Sequence, residues 1–253
     1  MKLKAMIAGA LGLGAVLTPF AAAEAAEIRV ISSVGVRAAL EQLKPQFERM
    51  TAHKLTITFG SAIPLKRQID AGEAFDVVIL TPVMIDDLIK QGKISPGSQS
   101  IVAKVGMGVA GRAGMPRPDI STADGFKRTL VNAKSIVHSK EGQSGTYMAG
   151  LIERLGLAEQ MKPKTVIETR SGHTAIAVVE GKAELGFSLI SEILPVSGAE
   201  YIGPLPAELQ DYVVFTAGIS PGAKDVQAAK AFIRFFSAPQ ALPILKSTGM
   251  EPG

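Results

Sequence analysis

The 253-residue chain contains no cysteine and no tryptophan, and only 5% of its residues are aromatic. Without a thiolate it can have no disulfide, no thiol catalysis and no zinc site built on sulfur. A chain of this length can bury enough apolar surface to fold around an ordinary hydrophobic core. The composition therefore excludes a small disulfide-stabilised scaffold.

The chain also lacks any apolar run near the roughly 20 residues that a membrane-spanning helix needs. Its N-terminal apolar stretch, residues 5–17, follows Lys2 and Lys4 and precedes a small-x-small pattern at residues 23–25. This combination is typical of a secretory signal peptide. We predict that residues 1–25 are removed and that the mature protein is exported to the periplasm.

Basic residues form no cluster. The formal charge is +4, and it becomes +3 when the two lysines and one glutamate of the signal peptide are removed. Because Lys and Arg are interleaved with Asp and Glu, the pattern is not that of a nucleic-acid-binding face. We expect no nucleic-acid partner, and the small positive excess is compatible with an anionic ligand.

Sequence motifs for cofactors and metals are weak or missing. Residues 106–111 match the letters of a dinucleotide fingerprint, but glycine and prolines follow where the phosphate-binding helix should begin. The three histidines lie far apart along the chain and have no metal-ligand spacing. We therefore expect neither a cofactor nor a metal.

Apolar runs of strand length alternate with stretches of helical periodicity, which predicts an α/β protein. Strands are predicted at 28–31, 55–59 and 77–80, each followed by a helix. Two strand-like pieces at 101–114 then lead into a Gly/Pro cluster, a boundary signal. A second set has strands at 135–138, 165–169 and 185–189, helices at 146–155 and 174–181, an extended piece at 212–218 and a last helix around residues 229–236.

The two alternating sets predict two Rossmann-like α/β lobes joined by two crossover strands. Lobe 1 is expected to comprise residues 26–104 and 207–253, and lobe 2 residues 105–206. In such open sheets a ligand binds beyond the carboxyl ends of the strands. We therefore expect the binding site in the cleft between the lobes.

Four predicted strand-to-helix turns, two in each lobe, are rich in serine and glycine. They lie at residues 32–35, 60–62, 142–145 and 171–173. Each alone is compatible with an ordinary helix cap. Together, their unpaired N–H groups form an anion site if they converge, because small residues let an oxyanion approach backbone amides. Arg170 and His173 flank the last turn and could add donors to the same anion.

Two other classes of protein share parts of this pattern. A periplasmic serine hydrolase would need His138 or His173 as a base within hydrogen-bond reach of a serine. The effector lobe of a transcription regulator has the same architecture, but the signal peptide and the missing N-terminal DNA-binding helices argue against it. Saturable binding without turnover of esters would separate a binding protein from a hydrolase.

The mature chain resembles the periplasmic molybdate-binding proteins of ABC transporters. The most specific stretch reads R-Q-I-x-A-G-x-x-x-D at residues 67–76. The match continues in the family's order at residues 59–61, at Gly145 with Tyr147, and at residues 235–241. The resemblance implies a type II periplasmic binding protein fold, a small anionic ligand, an ABC permease in the inner membrane as partner, and no catalysis. We expect a monomer.

The chain departs from the family at its ligand positions. The family places serines where this chain has Gly35 and Ala62, and a tyrosine near Leu189. Two hydroxyls and a phenol of the family's site are therefore missing. Ser144 and the pair Gly172-His173 also replace other residues of the family, which implies a roomier, more polar pocket that suits a small carboxylate as well as a molybdate-like oxyanion. The candidate ligand-binding residues are Ser32, Ser33, Gly35, Ser61, Ala62, Ser144, Gly145, Arg170, Gly172, His173 and Ser188.

Overall fold

The computed structural model describes residues 25–253. Residues 1–24, and with them nearly all of the predicted signal peptide, lie outside the described residues. Within residues 25–253 no helix is long and apolar enough to cross a membrane. The first part of the chain alternates strands and helices as β1 (Glu27–Ser33), α1 (Arg37–Thr51), β2 (Lys54–Gly60), α2 (Ala62–Asp70), β3 (Val77–Leu80), α3 (Pro82–Lys90) and β4 (Ser100–Arg112).

The middle of the chain builds a second α/β unit, and the last part returns to the first. The middle elements are α4 (Ala123–Asn132), β5 (Ile136–Ser139), α5 (Gln143–Arg154), α6 (Ala158–Met161), β6 (Thr165–Glu168), α7 (Thr174–Val179), β7 (Leu185–Leu189), α8 (Ile190–Ile193) and β8 (Ala199–Pro204). The returning elements are β9 (Tyr212–Ile219), α9 (Val226–Phe236), α10 (Leu242–Ser247) and β10 (Met250–Pro252).

The strands follow the order β2-β1-β3-β9-β4-β7-β5-β6, with β8 and β10 also paired to β4. Strands β1, β2 and β3 are parallel, as are β5, β6 and β7, whereas β9 and β4 run antiparallel to their neighbours. Strand β4 belongs to both halves. Up to Gly106 it pairs with β9, and from Met107 it pairs with β7. This confirms the predicted two-lobed α/β fold.

The second crossing between the lobes passes through residues 205–211, which contain a short 3₁₀ turn rather than a strand. Gln210 fixes this segment to β4, because its side chain accepts from the Met107 N–H at 2.8 Å and donates to the Met107 carbonyl at 3.0 Å. The Tyr147 hydroxyl of α5 donates to the Leu209 carbonyl at 2.6 Å. The predicted boundaries at 104/105 and 206/207 stay a prediction, but both lie close to these crossings.

Aromatic rings organise the core of each lobe. In lobe 1, Phe47 of α1 meets Phe232 of α9 edge to face with ring centroids 5.4 Å apart. In lobe 2, Phe126 of α4 meets Phe187 of β7 in the same way at 5.7 Å. All four side chains are fully buried, so each lobe holds its strands against a rigid helical layer. The strand ends that face the cleft are thereby fixed in position.

A buried carboxylate ties the start of lobe 1 to its C-terminal part. Asp76, 1% exposed, accepts from the Arg29 N–H at 2.7 Å, from the Arg29 guanidinium at 3.0 and 3.1 Å, and from the Lys224 N–H at 3.1 Å. Burial disfavours the charged carboxylate, but these hydrogen bonds outweigh it and lower the pKa of Asp76. The pairing holds β1 beside β3 and α9 beneath them.

Candidate functional site

A small cavity lies between the lobes at the carboxyl ends of the parallel strands, where the sequence predicted a ligand. Its volume is about 40 Å³. Residues of both lobes form its wall: Ser33, Val34, Ser61, Ala62, Thr81, Val213 and Phe215 from one side, and Ser139, Glu141, Gly142, Gln143, Ser144, Gly172, Leu189 and Glu192 from the other.

The lobe 1 wall is built on the start of α2. Ser61 is the N-cap residue, yet its hydroxyl makes no capping bond to the helix. The N–H groups of Ala62 and Ile63, in the first turn, have no partner within the helix, because the α-helical ladder begins with the Leu65 N–H, which donates to the Ser61 carbonyl. Pro64 has no N–H at all and presets the helical backbone. The helix therefore presents its free amides and positive end toward the cavity.

The lobe 2 wall is built on the start of α5, a 12-residue helix. Gly142 precedes it with φ +118, a left-handed conformation that favours glycine. The next three residues, 143–145, supply the free N–H groups of the first turn. Gly145 allows the helix to sit directly on the end of β5, since a Cβ there would lie 1.9 Å from the Ser139 carbonyl oxygen. The two hydroxyls of Ser139 and Ser144 are 3.4 Å apart.

The lobes touch each other around the cavity. The hydroxyl of Ser61 donates to that of Ser171 at 2.9 Å, and the hydroxyl of Ser191 donates to the Gly35 carbonyl at 2.6 Å. Gly172, at φ +69, packs against Val34, whose Cγ2 would lie 2.9 Å from a Cβ on residue 172. Small residues therefore allow a close approach of the two lobes, which encloses the cavity.

The floor of the cavity is apolar. Leu189, Val213 and Phe215 are each at most 5% exposed and line it from below. A Cβ on Gly35 would lie 2.6 Å from the Phe215 ring and 2.8 Å from the Leu189 side chain. These apolar side chains therefore occupy the space beside Gly35, and the expected roomier, more polar pocket stays a prediction.

Two carboxyl groups belong to the cavity wall, those of Glu141 and Glu192. Glu192, on α8, accepts a hydrogen bond from the buried hydroxyl of Ser188 at the end of β7. Burial raises the pKa of Glu192, and the Ser188 hydroxyl and the charge of Arg37 oppose this only in part. A carboxyl group is unusual in a site lined by amide donors, and nothing in the sequence pattern marked it.

Two larger chambers adjoin the central cavity. One, of about 230 Å³, shares Val34, Gly172 and Glu192 with it and is also lined by Arg37 and His173. The other, of about 410 Å³, is more apolar and shares Ala62, Gly142 and Gln143 with the central cavity. A ligand larger than a tetrahedral oxyanion can therefore extend out of the centre in two directions.

The predicted site residues fall into three groups, and their ligand-binding roles stay a prediction. Ser33, Ser61, Ala62, Ser144 and Gly172 line the central cavity, and His173 lines the chamber beside it. Ser32, Gly35, Gly145 and Ser188 lie buried behind the wall. Sequence reasoning missed Thr81, Ser139 and Glu192; the first two end strands before a helix, which is the same signal that marked the other turns.

Arg170 is in the third group, because it lines none of these cavities. Its guanidinium donates to both carboxylate oxygens of Glu168, at 3.0 and 2.7 Å, and lies 3.3 Å from Glu180. This pairing holds the pKa of Glu168 at about 2, against an ordinary value of 4.5. The arginine is thus committed to the buried carboxylate of Glu168 in lobe 2 rather than to the cleft.

The serine hydrolase alternative is not supported. The Nδ1 atoms of His138 and His173 contact the carbonyls of Ser139 and Ser171, and across residues 25–253 neither ring is hydrogen-bonded to a serine hydroxyl. In the same part of the chain, no group of three or more acidic or histidine side chains is arranged to hold a metal.

Two α/β lobes that enclose a small cavity with amide-bearing helix starts define a bilobal ligand-binding protein. A family model for bacterial extracellular solute-binding proteins matches residues 28–251, and the chain belongs to that family.

Named relatives and a solved structure agree with this family. The chain is 30% identical over 241 residues to molybdate-binding protein ModA of Azotobacter vinelandii, which covers 90% of this chain and 91% of that one. It is 27% identical over 252 residues to aconitate isomerase of a Pseudomonas species, with 96% and 95% covered. The structure of the Azotobacter vinelandii periplasmic molybdate-binding protein superposes with a TM-score of 0.76 at 24% identity, covering 89% and 99%.

Proposed function

We propose that this chain is the periplasmic binding protein of an ABC importer and that it holds a small anion, a tetrahedral oxyanion or a small carboxylate, between its lobes without turning it over. The observation that carries the proposal is that the starts of α2 and α5, one from each lobe, line the same enclosed cavity. The molybdate-binding relatives support an anionic ligand, and the family supports an extracellular role with a permease as partner.

The mechanism follows from the hinge. An anion first engages the free amides of one lobe, and rotation about β4 and residues 205–211 brings the other helix start against it. The anion favours the closed form because only that form supplies both sets of donors. The contacts of Ser61 with Ser171 and of Ser191 with the Gly35 carbonyl add to this form but carry no charge selectivity.

The first test removes one amide N–H from the start of α5. Gln143 is the first residue of α5, a position where proline is tolerated and only deletes an unused N–H. We expect Gln143→Pro to weaken anion binding about tenfold to a hundredfold, the effect of one hydrogen bond to a charged group. Binding is measured by calorimetry with molybdate, sulfate, phosphate, succinate and malate.

Val226→Pro is the matched control, because Val226 is the first residue of α9, away from the cleft. It should bind every anion as the wild type does. Equal weakening in both variants would show a general effect of proline on folding. Anion binding that is unchanged in Gln143→Pro would contradict the amide site.

A second candidate function is proton transfer on an unsaturated carboxylate. It is favoured by the Glu192 carboxyl in the cavity wall and by the relative that is named aconitate isomerase. An ionised Glu192 would take a proton from a carbon of the substrate and return it to another, with no change in oxidation state.

This candidate is tested with NMR in heavy water. Incubating the protein with one geometric isomer of aconitate should produce the other isomer with deuterium incorporated, and Glu192→Gln should abolish both changes. Binding of aconitate with no interconversion and no exchange would leave the transport role and exclude this one.

A further inference from the structure

We propose that Glu192 couples anion binding to a proton: when the bound anion is fully ionised, the closed complex holds one extra proton on the Glu192 carboxyl. The inference rests on the proposed anion site and names what that site selects. An anion that brings its own proton or hydroxyl group donates to Glu192 instead and needs no proton from solution.

The position of the carboxyl group is the first argument. Glu192 is the only acidic residue of the described chain that lines both the central cavity and the chamber beside it. Its hydrogen bond from Ser188 uses one carboxylate oxygen, and among residues 25–253 the other oxygen has no hydrogen-bond partner. An anion held by α2 and α5 therefore meets a carboxyl group with one oxygen free to donate or accept.

The charges around Glu192 do not neutralise it. From α1, Arg37 and Glu41 face the same chamber, and from the start of α7 so does His173. Arg37 stacks over the Phe59 ring at 4.8 Å and makes no ion pair within 4 Å of Glu192. Glu141 shares the central cavity.

Strands β4, β7 and β8 also pack on α8. Residues 107–110 of β4 and 186–189 of β7, which pair with each other, carry no titratable side chain. On β8, Tyr201 contacts the cluster around Ile193 and has its pKa raised to about 12. It is therefore uncharged at neutral pH. Burial already favours the neutral form of the Glu192 carboxyl, and a second negative charge in the cavity favours it further. Binding an ionised anion and binding a proton on Glu192 therefore reinforce each other.

Pairs of anions of similar shape test this directly. Sulfate and phosphate differ in that phosphate carries a proton between pH 5.5 and 8, and malate differs from succinate by a hydroxyl group. As the pH is raised across this range, we expect the dissociation constant for sulfate or succinate to rise by up to tenfold per pH unit. Calorimetry in two buffers of different ionisation enthalpy should show that one proton is taken up on binding. The constants for phosphate and malate should change less.

Glu192→Gln keeps an acceptor for the Ser188 hydroxyl but cannot titrate. It should therefore remove the pH dependence of the dissociation constants and make the two anions of each pair bind about equally well. His173→Gln is the matched control and should leave the dependence intact. Ser188→Ala removes a bond that favours the ionised carboxylate, so it should move the pH dependence to higher pH. Melting temperatures verify that each variant is folded.

Anion binding that is independent of pH, or a pH dependence that disappears in His173→Gln and persists in Glu192→Gln, overturns this inference and leaves the anion site standing. Failure of the wild type and of Glu192→Gln to bind any of these anions at any pH overturns the proposed function as well.

Discussion

Two glycines of α5 allow a sharp test of how the lobe 2 wall is built. Gly145 packs on the end of β5, where a Cβ would lie 1.9 Å from the Ser139 carbonyl oxygen and 2.8 Å from the carbonyl carbon. Gly150 is on the same helix, and a Cβ there would meet nothing closer than the end of the Arg154 side chain at 3.5 Å. The same glycine-to-alanine substitution can therefore be made on one helix at a tightly packed position and at an open one.

The magnitudes follow from these contacts. Ordinary contact begins near 3.4 Å, so Gly145→Ala forces the helix and the strand end apart by more than 1 Å, and backbone on both sides resists. We expect a loss of about 3 kcal/mol in the free energy of unfolding, the upper end for overpacking. Gly150→Ala should instead gain about 0.5–1 kcal/mol, because alanine is the better helix former.

The assay is urea denaturation followed by circular dichroism, together with calorimetry for anion binding. Gly145→Ala should also weaken anion binding at least tenfold, since the displaced helix start no longer aims its amides at the cavity. Gly150→Ala should bind as the wild type does. A Gly145→Ala variant with wild-type stability and affinity would refute the close packing of α5 on β5.

Three more outcomes follow from the structure. Asp76→Ala should cost about 3 kcal/mol of unfolding free energy in urea titrations, because it leaves the Arg29 guanidinium and two backbone N–H groups without their acceptor. The pKa of Glu168 is about 2 in the folded protein and ordinarily 4.5. Its contribution to the free energy of unfolding is therefore fully present above pH 4.5 and is lost as the pH falls toward 2. Glu168→Gln should reduce the difference in stability between denaturation curves at pH 7 and pH 3. Gly35→Ser should destabilise by about 1–3 kcal/mol, and a double-mutant cycle with Leu189→Ala should show a coupling of at least about 0.5 kcal/mol.

Periodicity located most strands of this fold because buried parallel strands are continuous apolar runs. Residues 77–80 and 185–189 are strands with the predicted bounds. The two pieces expected at 101–114 are one strand, β4, whose apolar run is interrupted by Lys104 and by three glycines. Its pairing shifts register at Ile101/Ala103 and Val109/Ala110. Helix α4 and strand β8 were not predicted; β8 is half-exposed along its length and carries little periodic signal.

The site was predictable only where local rules applied. A small residue between a strand and a helix is a local feature, and it marked turns that do line the cavity. The partners of a side chain depend on the folded chain instead. Arg170 stands two residues from Glu168, which captures it, and Glu192 reaches the cleft only because α8 begins directly at the end of β7.

The departures from the molybdate-binding pattern are connected by packing. The space that a side chain at residue 35 would fill is occupied by Leu189 and Phe215, so the glycine and the leucine are complementary. Together they remove hydroxyl donors and leave an apolar floor under a cavity of about 40 Å³. What remains to hold a negative charge is backbone amide from both lobes and the serine and threonine hydroxyls of the wall, with the carboxyl groups of Glu141 and Glu192 beside them. Amides bind any small oxyanion, so the proposed site needs another group to tell a protonated ligand from an ionised one. We propose Glu192 for this role, because among the described acidic residues it lines both the central cavity and the chamber beside it.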